Sequence, residues 1–548
     1  MAVPSPRSTT AASNVLSPAS NSSNPPHSRA HLARPLLRKA GRAELDLGLK
    51  FIIGTTTNSS NAFAALPGSR CIGYLAGTVA VVGKVNDDGS ISQTFFRSKQ
   101  LLIPNAGGAP LAEISSNPLN LVNNARNHTP VRHRDSPNSP SSFTSSAYAL
   151  PDTPGSKNGN SVLDKIKPLV SISFSPSGKL LAVGEVGHKP RVLIYSLRYA
   201  GQDHLLSTIS EHTFGVRLLS FSPDSQLLAS LGDVNDGFLY IWRVNDRTGA
   251  HSLLASNKCT TVVKDMAWLG KNLVTVGTRH VKVWTVETTI IPEAGNKPLA
   301  DQLSTLSLDS PRTLSGHNCL LGSLLDRTFT AIVIIAHNKA VVCSEDGDIC
   351  LLENAEASAR LTPIGVAGFH VHTATLLSPS LLLVGGHNGR MRLFGLQKLL
   401  VTPEEGDTVS CDQGVEVTVG QTSNTIIAMG FLGRELVILD NKRTLQTLPC
   451  DPSGTIDSKV CTISAHGGTP KGVLSLPQPN KLRSAFMTWD SIGSVLFWDQ
   501  SGGLKHQVHV RLRSEQVEEG DYLNELSAVR LNAESTRVVS GDRYGIMR

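Results

Sequence analysis

The sequence predicts an all-β fold, a ring of small four-stranded antiparallel sheets, on three observations. Residues 173–197 read SFSPSGKLLAVGEVGHKPRVLIYSL, two strand-like runs that each end in a turn. Residues 220–244 repeat that order as SFSPDSQLLASLGDVNDGFLYIWRV. Phe174 and Phe221 are 47 positions apart, and Trp268 opens a third such stretch after another 47. A repeat of about 40–45 residues is typical of β-propellers, whose sheets bury their faces only against neighbouring sheets.

The predicted units follow one another along most of the chain. The first spans 45–96, with strands in KFIIGTT, RCIGYLAG and TVAVVGKV. An insertion rich in Asn, Ser and Pro at 98–163 separates it from the second. The remaining units of a seven-bladed first propeller, over 44–450, are expected at 166–197, 212–245, 253–287, 313–353, 359–397 and 410–449. An eighth unit at 459–500 and a final half-unit predict a second propeller over 455–548 that is cut short.

The positive charge of the chain is concentrated in two segments. The net charge is +7. Residues 1–43 hold six Arg or Lys and no acid, and residues 97–160 hold six basic residues against three acidic ones. The remainder is therefore slightly acidic, so the sequence does not indicate the continuous basic surface that a specific nucleic-acid partner requires.

Composition and motifs offer no catalytic chemistry. The eight cysteines include no Cys-x-x-Cys pair, which favours reduced thiols in a cytoplasmic protein. No apolar run reaches the length of a membrane span. His370 and His372 would share one strand face, but no acidic or Cys residue nearby completes a metal site. We therefore expect no enzyme activity, no cofactor, no metal and no small-molecule substrate.

The segment 1–43 is predicted to be a disordered tail, because Ser, Pro and Asn dominate it. Its composition is Arg-rich and acid-free like a mitochondrial transit peptide, yet its prolines would interrupt the helix that such a peptide needs. Candidate phosphorylation sites lie in the insertion, where Ser or Thr precedes Pro: Thr129, Ser136, Ser139 and Thr153. Such dipeptides also arise from composition alone, so both interpretations stay open.

Three stretches carry a resemblance to a known family. They are GEVGHKP, ASNK and VGTRHVKVW, in which the matching residues are Gly184, Glu185, Gly187, His188, Pro190, Asn257, Lys258, Arg279 and His280. With their order and spacing, the chain resembles the amino-terminal part of the tandem-propeller WD-repeat scaffolds typified by the mitogen-activated-protein-kinase-binding protein and its microcephaly-associated relative. The match is strongest over 166–287 and weak over 313–450. Such proteins are scaffolds, not enzymes.

The resemblance also implies a structural relay inside the blades. WD repeats commonly bury a loop His, a strand Ser, a turn Asp and a strand Trp that bond to one another. Unit 212–245 offers His212, Ser230, Asp236 and Trp242. Unit 253–287 keeps Trp284 but has Arg279 and His280 around its turn. Unit 459–500 keeps His466 and Trp498, but Ile492 is expected where the acid should be.

The leading hypothesis is a non-catalytic interaction scaffold. Its rigid ring would present loops to other proteins, and the resemblance implies kinase-signalling, spindle or cytoskeletal partners in the cytoplasm. The alternative is a microtubule-associated structural protein, similar to the echinoderm-type tandem-propeller relatives, in which the basic tail attracts acidic tubulin. An enzyme built on a propeller has the least support.

Overall fold

A computed structural model describes residues 49, 51–87, 91–98, 166–198, 204–287, 312–355, 358–400, 414–417, 424–456, 461–463, 466–512, 524–532, 534 and 536–547. These residues form an almost purely β structure of antiparallel sheets. The tail 1–43, nearly all of the insertion and the four candidate phosphorylation sites lie outside them.

The first four sheets hold the following strands in chain order: sheet 1, β1 (Phe63–Leu66), β2 (Cys71–Ala76), β3 (Val79–Val85) and β4 (Ile91–Arg97); sheet 2, β5 (Leu169–Phe174), β6 (Leu180–Glu185), β7 (Val192–Ser196) and β8 (Leu205–Ile209); sheet 3, β9 (Val216–Phe221), β10 (Leu227–Gly232), β11 (Phe238–Val244) and β12 (His251–Lys258); sheet 4, β13 (Val263–Leu269), β14 (Asn272–Gly277), β15 (His280–Thr285) and β17 (Ser315–Asn318). A two-residue strand β16 (Arg312–Thr313) adds to β12 in parallel.

The later sheets continue the pattern: sheet 5, β18 (Phe329–Ala336), β19 (Lys339–Ser344), β20 (Asp348–Ala355) and β21 (Ser358–Val366); sheet 6, β22 (Val371–Ser378), β23 (Leu381–Gly386), β24 (Met391–Gly395) and β25 (Val415–Val417); sheet 7, β26 (Ile426–Phe431), β27 (Glu435–Asp440), β28 (Leu445–Pro449) and β29 (Cys461–Ile463); sheet 8, β30 (Pro470–Ser475), β31 (Phe486–Asp490), β32 (Ser494–Trp498) and β33 (Leu504–His509); sheet 9, β34 (Leu526–Leu531) and β35 (Val538–Asp542).

Helical structure in the described residues is confined to short turns. The described ranges hold one α-helical turn, α1 (Leu396–Leu399), and four 3-10 turns: Ser60–Ala62, Pro67–Ser69, Gly322–Leu324 and His387–Gly389. No helix in the described ranges has the length and apolar character needed to cross a membrane.

Sheets 1 to 7 pack in a closed succession. The first strand of each sheet contacts the first strand of the next, and β26 of sheet 7 contacts β1 of sheet 1. One apolar cluster spans that junction, with Phe63 and Tyr74 on one side and Val437 and Leu439 on the other. Because each sheet is nearly apolar on both faces, it is stable only between two neighbours, as the sequence repeat predicts.

The junction between sheets 1 and 7 also carries an ion pair. Arg70 donates two hydrogen bonds to the carboxylate of Glu435, of which the bond from Nε measures 3.3 Å. These residues are 365 positions apart in the chain. Sheet 7 therefore binds sheet 1 by polar as well as apolar contacts.

One difference from the sequence-based boundaries concerns sheet 7. Its outermost strand is β29, which pairs with β28 through Thr447 and Cys461. The sheet thus extends past residue 450, where the first propeller was predicted to end. A three-residue strand is too short to show an alternating pattern, so periodicity does not predict it.

Candidate functional site

One end of the ring holds the loops that join successive sheets and the loops that join the second and third strands of each sheet. We call it the entry face, because each first strand begins there; its loops include 186–191, 210–215, 233–237, 259–262, 278–279, 319–328, 345–347, 367–370 and 387–390. Backbone hydrogen bonds connect these loops in pairs. Gly187 N–H donates to Phe214 O at 2.8 Å, and Arg279 N–H donates to Arg327 O at 2.9 Å. The loops are therefore held by the sheets, as on other binding surfaces built on rigid scaffolds.

A β-bulge recurs at the start of the first strands. In β5, β9, β13, β18, β22 and β26 the register shifts around the second residue. We call these second residues the mouth positions, since first strands surround the central channel: Val170, Arg217, Lys264, Thr330, His372 and Ile427. A bulge leaves one residue outside the regular ladder, a device common beside functional sites.

A partly open cavity of about 450 Å³ is lined by residues of the first strands of sheets 1 to 4 and of neighbouring turns. Asp265 is one of its lining residues. The Asp265 carboxylate accepts the N–H of Met266 at 2.7 Å and the N–H of Ile332 at 3.0 Å. Desolvation raises the pKa of Asp265 to about 6, although these two hydrogen bonds oppose the rise.

The structure brings the four relay residues of sheet 3 together inside the blade. Trp242 Nε1–H donates a hydrogen bond to Ser230 Oγ at 2.9 Å. The Ser230 hydroxyl in turn donates a hydrogen bond to His212 Nε2, also at 2.9 Å. His212 Nδ1–H then donates to Asp236 Oδ2 at 2.8 Å. Desolvation, the largest contribution, acts to raise the pKa of Asp236, but bonds from His212 and Thr213 outweigh it and lower that pKa.

Sheet 8 contains a similar set of residues, although its turn lacks the acid found in sheet 3. Trp498 Nε1–H donates to Thr488 Oγ1 at 2.8 Å, and Thr488 bonds to His466 Nε2 at 2.6 Å. The acid is Asp490, whose Oδ2 lies 3.3 Å from His466 Nδ1 without meeting hydrogen-bond geometry. Ile492 does stand at the position of Asp236, six residues before the strand Trp, but Asp490 at the end of β31 approaches the histidine in its place.

Sheet 4 builds a variant with its histidine on a strand. Trp284 Nε1–H donates to Thr275 Oγ1 at 3.0 Å, and Thr275 bonds to His280 Nε2 at 2.9 Å. Cys259 Sγ approaches the same nitrogen at 3.9 Å. His280 therefore belongs to the core, while the neighbouring Arg279 is exposed and pairs with Asp326 at 2.9 Å.

His280 is expected to make the protein less stable in mild acid. Desolvation, aided by the charge of Lys282, lowers the pKa of His280 to about 4. An unfolded chain has a histidine pKa of about 6.5, so between these values the unfolded state binds more protons. Keeping His280 neutral therefore costs the folded protein nothing above about pH 6.5. As the pH falls to about 4, the free energy of unfolding decreases by about 3 kcal/mol because of this residue. Urea unfolding across this range should show a shallower pH dependence for His280→Gln.

The exposed His188 provides the control for that measurement. His188→Gln should keep the pH dependence of the unmodified protein, because this side chain lies on the surface. Identical slopes for His280→Gln and the unmodified protein would show that the histidine is not held neutral by the core.

The GEVGHKP stretch surrounds a buried ion pair. Arg191 Nε–H and Nη2–H donate to Glu185 at 2.8 and 2.6 Å, and the Ser98 hydroxyl donates to the same carboxylate at 2.6 Å. Glu185 and Arg191 side chains are 0% and 5% exposed. A Cβ on Gly184 would lie 2.3 Å from Ser171 Oγ, so only glycine fits there. The sequence indicated Glu185 but missed Ser98 and Arg191.

Some of the other matching residues make contacts within the blades, and others lie on the surface. Asn257 donates its side-chain amide to Leu314 O at 2.6 Å, and Lys258 lies 5.1 Å from the ring centre of Phe238. Gly187 has φ +115°, a conformation that favours glycine. His188 is exposed and Pro190 is buried. These residues place the three stretches side by side on the entry face of sheets 2 to 4.

The His370–His372 pair does not share a strand face. His370 precedes β22, bonds to Glu345 O at 3.1 Å and packs edge-on against His387 with ring centres 6.0 Å apart. His372 is the bulged mouth residue of sheet 6. Among the described residues no group of three or more His, Cys, Asp or Glu has the geometry of a metal site.

Repeated four-stranded sheets and the Trp–Ser–His–Asp relay define the class of this protein. The family profile described as "WD domain, G-beta repeat" matches residues 203–243, which include that relay. The chain is a WD-repeat β-propeller protein.

Its particular relatives are known WD-repeat proteins of greater length. The chain is 26% identical over 235 residues to Cilia- and flagella-associated protein 52 of Chlamydomonas reinhardtii, covering 41% of this chain and 33% of that protein. It is 25% identical over 240 residues to Mitogen-activated protein kinase-binding protein 1 of Mus musculus, covering 42% and 14%. The chain is 26% identical over 238 residues to WD repeat-containing protein 62 of Sus scrofa, covering 42% of this chain and 14% of that protein. The matches thus span a third or less of each relative.

Among solved structures, the WD40 β-propeller domain of Doa1 overlaps 73% of this chain and 95% of its own length. The identity is 11% and the TM-score is 0.41. The assignment of the class therefore rests on the sheets described above and on the sequence matches.

Proposed function

We propose that this protein is a non-catalytic interaction scaffold whose entry face binds other proteins. The observation that supports this most directly is the set of large apolar side chains exposed in entry-face loops. Phe214 is 46% exposed, Val234 43%, Leu325 54% and Leu320 86%. Exposed apolar groups on a rigid framework are typical of protein-binding surfaces, because they gain burial only when a partner covers them.

The partners proposed are components of kinase signalling or of the cytoskeleton, in the cytoplasm. Support comes from two relatives, one named for binding a mitogen-activated protein kinase and one for association with cilia and flagella. Spindle components remain within the same proposal through the family resemblance.

A microtubule-associated structural role is the second candidate. It is favoured by the cilia- and flagella-associated relative and by the six basic residues without an acid in 1–43. Because tubulin's surface is acidic, that attraction is electrostatic and salt weakens it.

Two binding measurements test these proposals. We expect the protein to retain a purified mitogen-activated protein kinase on beads or to pellet with microtubules. Phe214→Ser with Leu325→Ser should weaken the interaction by at least about tenfold, since exposed anchors dominate interfaces. Val415→Ser with Val508→Ser, at exposed apolar positions on outer strands, is the matched control.

The outcomes separate the candidates. Pelleting that is lost with residues 1–43 removed and unaffected by the loop variants favours the microtubule-associated role. Retention of neither the kinase nor microtubules contradicts both proposed partner classes.

A further inference from the structure

Two cations at the channel mouth are partly buried and have no ion-pair partner in the described residues. Arg217 and Lys264 occupy mouth positions of the adjacent sheets 3 and 4, and both are half-buried. Within the described ranges, neither forms an ion pair or a side-chain hydrogen bond. Three other cations of this face are paired: Arg279 with Asp326 at 2.9 Å, Arg327 with Asp346 at 2.7 Å and Arg390 with Glu416 at 3.0 Å.

A half-buried charge without a counter-ion is unfavourable. The neighbouring protein displaces part of its hydration, and no carboxylate compensates for the loss. Two such residues on adjacent blades therefore form a site that gains when an anionic group approaches.

Two acids in the adjoining chain segments accept backbone hydrogen bonds. Asp265 follows Lys264 in the chain, but its carboxylate accepts the N–H groups of Met266 and Ile332. Asp233, in the loop beside Gly215, accepts the N–H of Val234 at 2.7 Å. Neither acid bonds to the mouth cations.

Acidic and titratable groups on the far side of the mouth confine the site to sheets 3 and 4. His372, the mouth residue of sheet 6, interacts electrostatically with Lys264, with Glu345 and with His370 and His387. Glu345 supplies a negative charge there and disfavours an anion at that position. The open cationic region is therefore the one bounded by Arg217 and Lys264.

Exposed apolar side chains flank the same region. Phe214 lies three residues before Arg217, just outside β9. The loop that carries Val234 is bonded to it, since Asp233 N–H donates to Gly215 O at 2.9 Å. The exposed Phe214 and Val234 side chains are thus carried by two linked loops next to β9, the strand that contains Arg217.

We propose that this site binds an acidic peptide segment of a partner protein, with carboxylates on Arg217 and Lys264 and an apolar side chain against Phe214 and Val234. The inference rests on the proposed scaffold function, and specifies the chemistry of the segment that the entry face takes. Charge complementarity is its basis, and the apolar flank favours a peptide over a nucleic acid.

Fluorescence anisotropy with labelled probes tests the proposal on the full chain. The probes are a short peptide of Glu, Asp and Leu, the same peptide with Gln and Asn for the acids, and a single-stranded DNA of equal charge. The unmodified protein is expected to bind the acidic peptide at least about tenfold more tightly than the neutral one, more weakly as salt rises. The double variant Arg217→Gln, Lys264→Gln should lose that preference.

A matched double variant controls for charge loss in general. Lys179→Gln with Lys339→Gln removes two cations from the opposite end of the ring, where they pair with Asp246 and Glu353. It should bind the acidic peptide like the unmodified protein. Equal binding of acidic and neutral peptides, unchanged binding by the mouth variant, or equally tight DNA binding would each overturn the inference.

Thermal unfolding excludes a folding defect as the cause. Because the mouth cations are unpaired, Arg217→Gln with Lys264→Gln should leave the melting temperature unchanged or raise it. If the unmodified protein binds the kinase or microtubules but does not bind the acidic peptide, the scaffold function is supported and this inference is contradicted.

Discussion

Replacing Glu185 with glutamine is expected to lower the free energy of unfolding by about 3–5 kcal/mol, the usual cost of breaking a buried ion pair from one side. The substitution leaves the Arg191 guanidinium charged in a site where its side chain is 5% exposed. It also weakens the acceptor used by Ser98, by the Arg191 side chain and by Arg191 N–H at 3.1 Å. Chemical denaturation of the purified protein measures the loss.

A surface ion pair provides the comparison. Glu353→Gln removes the partner of Lys339, in a pair of 2.7 Å whose side chains are 42% and 40% exposed. Such pairs contribute about 0–1 kcal/mol, because water screens them. If Glu185→Gln lowered the free energy of unfolding no more than Glu353→Gln does, the bonds among Ser98, Glu185 and Arg191 would not stabilise the GEVGHKP stretch as their geometry indicates.

Replacing Trp284 with alanine should lower the free energy of unfolding by about 3–5 kcal/mol as well, the range for a fully buried Trp. Its ring is 0% exposed and belongs to the core between sheets 3 and 4. Strand β17 passes close to it, since a Cβ on Gly316 would lie 2.6 Å from the ring. Because tightly packed neighbours cannot move to fill the cavity, the loss should lie in this range.

Trp284→Phe separates packing from hydrogen bonding. Phenylalanine keeps most of the apolar ring but removes the N–H that Thr275 accepts, so a smaller loss of about 1–3 kcal/mol is expected. Tyr544→Ala, at a 58% exposed aromatic side chain, should change stability by less than about 0.5 kcal/mol. Equal losses for the alanine and phenylalanine variants would mean that the hydrogen bond dominates.

The repeat spacing was sufficient to predict the class of fold, because alternating apolar strands and turn residues recur wherever a sheet must fill the same space. The relay of sheet 3 followed from residue types at matching positions in one unit. In sheet 8 the same reasoning correctly found Ile492 at the position of Asp236 but missed Asp490, which stands two residues earlier at the end of β31. Hydrogen-bond partners at strand ends depend on such small offsets.

Other parts of the site had no sequence signal. Ser98 and Glu185 are 87 positions apart, and only the packing of sheet 1 against sheet 2 brings them together. The mouth positions follow from bulges, which a periodic pattern does not reveal because the extra residue looks like any other in a strand. The sequence pattern predicts His280 at a turn. In the structure β15 begins at that residue, and its side chain is buried in the core.

The Arg70–Glu435 junction has a consequence for biosynthesis. Ribosomes add about 5–20 residues per second, so the 365 positions between these side chains take about 20–70 s to produce. During that interval the apolar flank of sheet 1, which includes Phe63 and Val81, has no covering partner. A nascent chain of this length therefore offers chaperones a defined early target, and a circular permutant that begins at sheet 7 would shorten the wait.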